Sequence, residues 1–445
     1  MTDPPGTKSP LAPILIGGLL LRGIVYLFLN PGNNDPHHLI ISYILQHGFP
    51  PTSDYSCLSF HPPLYYLMAA PFAKFALAFV SNLRMHGKIV QLLSLLLSLA
   101  NLYLIYLFVA RTRLLTMRGR VHALLLAAVL PQFVIFGNFI SNDSLSYLVG
   151  TICFVQAFRY IDAPHRRNLV LLALALGVGL LTKGTFIAFV PVLVGVVAAG
   201  EVVRSRPRIA ALALFCVLVL FTGGYKFAEN TIQMGRPIVH GLDMEPEWMH
   251  EQLGTYQGPS SILDVNVLKL VGDPFFSDQT RHSFPLLLYG TFWQPYILES
   301  NLVATREGFL TIFPRLIYVA GIPVTILMLI GLGTRVARSR PIRELLRGAG
   351  PDTTSRRQGT TTVLLLSFNL AIIVAAGVKY DVWSCFQGRL LFPSMIGLVL
   401  GMGWGVETVV RRFPRLVPVL DGGLPVVYAL LAAYLAIEVG HAMAS

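Results

Sequence analysis

Apolar stretches recur along nearly the whole chain, bounded by short polar or basic segments, and about eleven of them approach the length a helix needs to cross a bilayer. They cover residues 11–29, 88–110, 121–140, 144–161, 168–182, 185–203, 209–225, 309–332, 361–378, 390–410 and 423–440. The pattern predicts an all-α polytopic membrane protein. Two further apolar stretches read differently. Near 36–47, Leu39, Ile40, Tyr43, Ile44 and Leu45 recur at helical spacing among polar residues, which suits a short helix lying in the interface plane. Residues 61–80 begin with two prolines after His61 and carry Pro71 and Lys74. If they crossed, the arginines at 111–120 would lie outside and every later loop would break the positive-inside pattern. This stretch is therefore read as a second helix on the outer surface.

Composition agrees with the pattern. The 445 residues are 54% hydrophobic and only 13% charged, with a mean hydropathy of +0.64, which leaves too little polar surface for a soluble protein of this length. The net charge of +12 is carried by short clusters between apolar spans: Arg111 to Arg120, Arg166 with Arg167, Arg204 to Arg208, Arg335 to Arg357, and Arg411 to Arg415. Nucleic-acid binding would need a continuous basic face, so that class is excluded; the clusters mark cytoplasmic loops beside membrane lipids. With the N-terminus and Lys8 cytoplasmic, the segments around 31–86, 141–144, 183, 226–308 and 379–388 face outward. They hold most of the carboxylates, so the chemistry is expected on the outer side.

The chain divides into an N-terminal membrane part, residues 1–225, with a polar outer loop at 30–87; an outer cap loop at 226–308 that carries Trp248, His250 and Trp293; and C-terminal membrane helices at 309–445. The first span is long and lacks a small-residue cleavage site, so it reads as a retained anchor. Arg22 in its outer half either snorkels to the interface or pairs with a buried anion. Cys153 and Cys216 lie in apolar spans as packing residues, whereas Cys57 and Cys385 fall in outer loops where a disulfide is permitted.

Several outer residues are chemically suggestive. Asp35, after a turn-forming Pro-Gly-Asn-Asn run, reads either as the N-cap of a helix starting near Pro36 or as a general base toward an acceptor hydroxyl. Asp143, in an Asn-Asp-Ser hairpin, is a second N-cap or a second acid. Lys183, at an outer turn, either snorkels or holds a phosphate. Arg389 opens a span from the outer side, against the charge trend, and its guanidinium matches phosphate geometry. His37, His38 and His61 with Asp35 are competent donors for a divalent metal ion, though the spacing matches no specific metal signature. Asp54 and Tyr65 are further candidate contacts for substrate or metal.

An acidic residue after the first span, a Pro-Pro-Leu-Tyr-Tyr element, an Asn-Asp-Ser-Leu hairpin, a Leu-Thr-Lys turn and a Gly-Arg-Leu-Leu-Phe-Pro run follow one another in order. Together they resemble the GT-C membrane glycosyltransferases, in the branch of protein O-mannosyltransferases and bacterial lipid A aminoarabinose transferases. The resemblance implies a GT-C-like bundle with outer interfacial helices and a cap, and inverting transfer of a sugar from a polyprenyl-phosphate donor. The acceptor would be a glycan, a lipid or a protein, and transfer would take place on the outer face of a bacterial inner membrane or its lumenal equivalent. On this chain it implies Asp35 as the catalytic acid position, Asp143 as the second, and Lys183 and Arg389 on the donor phosphate. The family often has Asp-Glu after the first span; here Pro36 follows Asp35, so a partner acid is missing or is supplied by Asp54. The rival classes are a transporter or lipid flippase and a non-catalytic GT-C subunit of a glycan-assembly complex. Transporters place polar residues near the midplane in paired repeats, whereas here they gather at one face.

Overall fold

The computed structural model describes residues 10–31, 37–56, 58–204, 208–243, 258–274, 282–294, 312–338 and 351–444. Asp35, Cys57, Trp248 and His250 lie outside the described residues. No strand occurs among the described residues, and each predicted span is helical over most of its described length.

The N-terminal part comprises α1 (Leu11–Phe28), α2 (His37–His47), α3 (Leu64–Phe79), α4 (Leu83–Arg111), α5 (Met117–Val129), α6 (Pro131–Phe136), α7 (Asp143–Asp162), α8 (Arg166–Thr182), α9 (Phe189–Arg204) and α10 (Arg208–Gly223). Then follow α11 (Tyr225–Met234), two single helical turns, α12 (Phe284–Trp293), α13 (Ile312–Arg338), α14 (Pro351–Tyr380), α15 (Met395–Arg412) and α16 (Val417–Ala444). The chain is an integral, multi-pass membrane protein. Among the described residues, seven helical segments are long and apolar enough to cross a membrane on their own, and the pair α10 with α11, bent by 68°, passes together as an eighth if it is one span.

The other three of the eleven expected spans are helical but interrupted or short, for local reasons. The 121–140 span is cut at Leu130 because Pro131 has no N–H to continue α5 and restarts the chain as α6. Spans 168–182 and 185–203 become α8, at 17 residues, and α9, which is preceded by a 3₁₀ turn over Gly184–Ala188. The 16 residues of α3 would reach about 24 Å, short of a hydrocarbon core of about 30 Å.

Helix contacts in the interior are made by small residues. In α15, Gly397, Gly401 and Gly405 repeat every four residues and form one face. A Cβ on Gly405 would stand 1.9 Å from the Leu327 carbonyl oxygen, and one on Gly331 would stand 1.9 Å from that of Gly401. The α13 and α15 backbones therefore touch directly, which maximises dispersion contact where lipid offers no hydrophobic drive.

Arg22 corrects both readings taken from the sequence. It is fully buried and neither snorkels nor meets a described carboxylate. Its guanidinium donates to the carbonyls of Ala127 (3.0 Å), Ala128 (3.1 Å) and Gly18 (3.1 Å) and to Ser98 Oγ (3.1 Å), with the Phe133 ring 5.6 Å away. Pro131 explains why: the N–H that would have bonded the Ala127 carbonyl does not exist, and Arg22 supplies the missing donor.

The expected 226–308 loop is in part embedded. Its helix α12 packs into the bundle, with Phe284 stacked on Phe386 at 3.8 Å and Trp293 fully buried. Cys385 is a buried free thiol.

Candidate active site

One end of the bundle gathers the start of α7, the end of α8, the head of α3 and the 3₁₀ turn Gly388–Ser394 that precedes α15. Asp143 is the first residue of α7 and not its cap: Asn142 holds that position, with no side-chain cap bond. There the free N–H groups and the helix dipole favour a carboxylate. It is 3% exposed. Lys183 occupies an extended residue between α8 and the following 3₁₀ turn, so its side chain leaves both helices and reaches Asp143 Oδ1 in a buried ion pair. Arg389 reaches Oδ2 from the other side at 3.5 Å and lies over the Phe136 ring at 4.3 Å. Two cations thus share one carboxylate.

The two faces of this arrangement depend on close packing. A Cβ on Gly150, two turns down α7, would fall 2.0 Å from the Pro393 carbonyl oxygen. Only glycine there lets the turn carrying Arg389 settle against α7.

His37 and His61 stand beside this cluster. His37 is buried in the first turn of α2, its Nδ1 2.7 Å from the Tyr66 hydroxyl and its ring 5.8 Å from that of His61. It is close enough to Asp143 to feel its charge. His61 packs on Phe60 at 4.0 Å. Burial, reinforced by His37, Lys183, His240 and Arg389, holds its imidazole well below the ordinary range, so it is neutral. Tyr65 is fully buried, bonds Ser94 Oγ at 2.8 Å and also meets the Ser141 backbone, two residues before Asp143.

Two candidates stand apart. His38, next to the buried His37 on α2, is exposed. Asp54 is exposed, accepts from Thr52, and lies near Lys226 in a second charged group: Lys226 bonds Glu229 at 2.9 Å, and Glu229 accepts from the Ser53 backbone N–H at 3.1 Å. Lys88 helps place the segment before Asp35, donating to the carbonyls of Tyr26 and Leu29 at the end of α1. Among the described residues, no three His, Cys, Asp or Glu side chains gather as a metal donor set. Asp35, one of the donors that the sequence suggested, lies outside them.

Sequence reasoning missed a neighbouring cluster. His240 stacks on Tyr380 at 4.6 Å and touches Phe60 at 4.7 Å, while Asp243 accepts from Tyr380 and from the His240 backbone N–H at 3.0 Å each and pairs with Arg236 and Lys379 at 3.4 and 3.5 Å. Little within residues 236–243 signals this, because Lys379 and Tyr380 come from α14 and Phe60 from the segment before α3. Tyr147 was also missed, although its place one turn after Asp143 was visible.

Residues 61–224 match the family model for dolichyl-phosphate-mannose-protein mannosyltransferase. That segment takes in His61, Tyr65, Asp143 and Lys183, and ends before Arg389. Over that segment the match agrees with the GT-C resemblance read from the ordered motifs, and the all-helical, multi-pass fold is the one expected. No curated protein matches the chain. Among solved structures, the apo oligosaccharyltransferase of Archaeoglobus fulgidus aligns at 14% identity over 98% of this chain and 56% of its own, with a TM-score of 0.49. ArnT from Cupriavidus metallidurans, solved bound to undecaprenyl phosphate, aligns at 14% identity over 91% of this chain and 79% of its own, with a TM-score of 0.40. The chain spans about half the length of the oligosaccharyltransferase, and likenesses of this degree carry no argument about substrates.

Proposed function

We propose that the protein transfers a sugar from a polyprenyl-phosphate donor to an acceptor hydroxyl by inverting single displacement, at the outer face of a bacterial inner membrane. The observation that carries this reading is the shared carboxylate. Asp143 holds Lys183 and Arg389 together at one end of the membrane helices, and two cations side by side match the negative charge of a phosphodiester donor. A lipid-linked sugar presents its phosphate at the membrane boundary, where two such donors can hold it.

In this mechanism Asp35, two residues before the His37 that faces the cluster, takes the proton of the acceptor hydroxyl. The acceptor oxygen forms a bond to sugar C1 as the bond from C1 to the phosphate oxygen breaks, and the lipid phosphate leaves with a second negative charge against Lys183 and Arg389. The segments of 226–308 beside α11 and α12 act as the cap that selects the acceptor.

The test is lipid analysis of the purified protein, followed by transfer assays in membranes. A polyprenyl-phosphate sugar is expected in the organic extract of both wild type and Asp35→Asn, with transfer lost only in the variant. Failure of the wild type to retain or bind any polyprenyl phosphate would overturn the reading, and transfer by Asp35→Asn would overturn the role of that residue.

A further inference from the structure

Tyr147 lies one turn beyond Asp143 on α7 and is 1% exposed. Its ring is held between Phe133 at 5.4 Å and Phe392 at 5.5 Å, and Phe392 belongs to the same 3₁₀ turn as Arg389. Long side chains on a helix lean back toward its N-terminus, so the hydroxyl is carried from its own turn toward the level of Asp143. There it lies within the fields of Asp143 and Arg389. Yet the hydroxyl has no hydrogen-bond partner among the described residues.

That is unusual for a tyrosine in an apolar interior. A buried hydroxyl without a partner destabilises the fold, and phenylalanine would fill the same space between Phe133 and Phe392 without that cost. Tyr65 and Tyr66, equally buried on α3, both have partners: Ser94 for the first and His37 for the second. The orphaned group is the one aimed at the shared carboxylate and its two cations.

We propose that the Tyr147 hydroxyl is a substrate contact, donating a hydrogen bond to a phosphate oxygen of the lipid-linked donor held by Lys183 and Arg389. The assignment rests on the polyprenyl-phosphate reading above. A phosphate that arrives from the bilayer side with its chain in the hydrocarbon meets the hydroxyl on the membrane-facing side of the cluster, below Asp143. Lys183 and Arg389 supply charge, and Tyr147 supplies a neutral donor that fixes how deep the phosphate sits. It takes no proton and forms no bond in the reaction.

The experiment compares wild type with Tyr147→Phe in detergent, by calorimetric titration with undecaprenyl phosphate and with undecaprenol as the phosphate-free control. Removing one buried hydrogen bond to an anion should weaken undecaprenyl phosphate binding about tenfold or more, leave the response to undecaprenol unchanged, and leave the ligand-free thermal midpoint unchanged or raised. Equal affinity of both proteins for the phosphate would overturn the inference and assign the hydroxyl to a buried water, while the donor reading stands. A lowered ligand-free midpoint would also overturn it, by showing that the hydroxyl has a structural partner. If the wild type binds no undecaprenyl phosphate, the donor reading itself fails, and this assignment with it.

Discussion

Arg389 and Asp143 lie 246 residues apart in sequence, and the guanidinium comes to 3.5 Å from the carboxylate oxygen that Lys183 leaves free. The consequence is mutual: the carboxylate orients both cations, and the cations stabilise a charge that burial would otherwise disfavour. Removal of Asp143 leaves two like charges side by side, whereas removal of either cation leaves a single ion pair.

Arg389→Lys tests whether charge alone suffices. Lysine keeps the positive charge but loses the planar fork and the contact with the Phe136 ring. Donor affinity, followed by titration with a polyprenyl phosphate, should fall about tenfold and should fall further in Arg389→Gln. Wild-type affinity in the lysine variant would show that the guanidinium geometry is irrelevant.

Gly150→Ala tests the packing that carries Arg389 to its place. The added methyl would overlap the Pro393 carbonyl, so the turn must move or α7 must bend, at a cost of about 1–3 kcal/mol. Transfer should drop sharply while far-ultraviolet dichroism still reports a helical protein. Unimpaired transfer would mean the turn is more compliant than its contacts imply.

Arg22→Met removes the donor that stands in for the missing N–H of Pro131. Methionine fills much of the space but leaves the Ala127 and Ala128 carbonyls unsatisfied inside the bundle, at about 1–3 kcal/mol for each. The thermal midpoint in detergent should fall by several degrees. A midpoint equal to that of wild type would contradict a capping role.

Stability should fall in mild acid. Burial, with the help of His37, Lys183, His240 and Arg389, holds His61 well below the ordinary imidazole range, and burial lowers His240 to about 4. In the unfolded chain both titrate near about 6.5, so below that pH the unfolded state binds more protons than the folded one. The stability is complete above about 6.5 and is lost as the pH falls toward the depressed folded values. Unfolding midpoints measured from pH 7 to pH 5 should decline, and His240→Gln should flatten that decline. A flat wild-type profile would rule out the buried neutral histidines as its source.

The sequence carried most of the architecture because hydropathy is summed over local windows. The helical character of the apolar stretches, including the amphipathic run of Leu39, Ile40, Tyr43, Ile44 and Leu45, was legible from neighbours within one or two helical turns, whereas the breaks that leave seven or eight candidate spans among the described residues were not predicted. The break at Pro131 was legible in principle, since a proline without an N–H interrupts any helix, but its consequence for Arg22 was not. Arg22 reads as a snorkelling or ion-paired residue until the Ala127 and Ala128 carbonyls, about 105 residues away in sequence, are brought beside it.

What the sequence determined by itself was the class of the protein, a polytopic helical membrane chain, because crossing a bilayer constrains length and polarity segment by segment. What only the tertiary structure decided was pairing. Asp143 is a plain helix-start acid in the sequence, and its capture of both Lys183 and Arg389 depends on α7, α8 and the Gly388–Ser394 turn ending at the same place. That meeting is set by close backbone contacts such as Gly150 on Pro393 and Gly405 on Leu327, which no local window records.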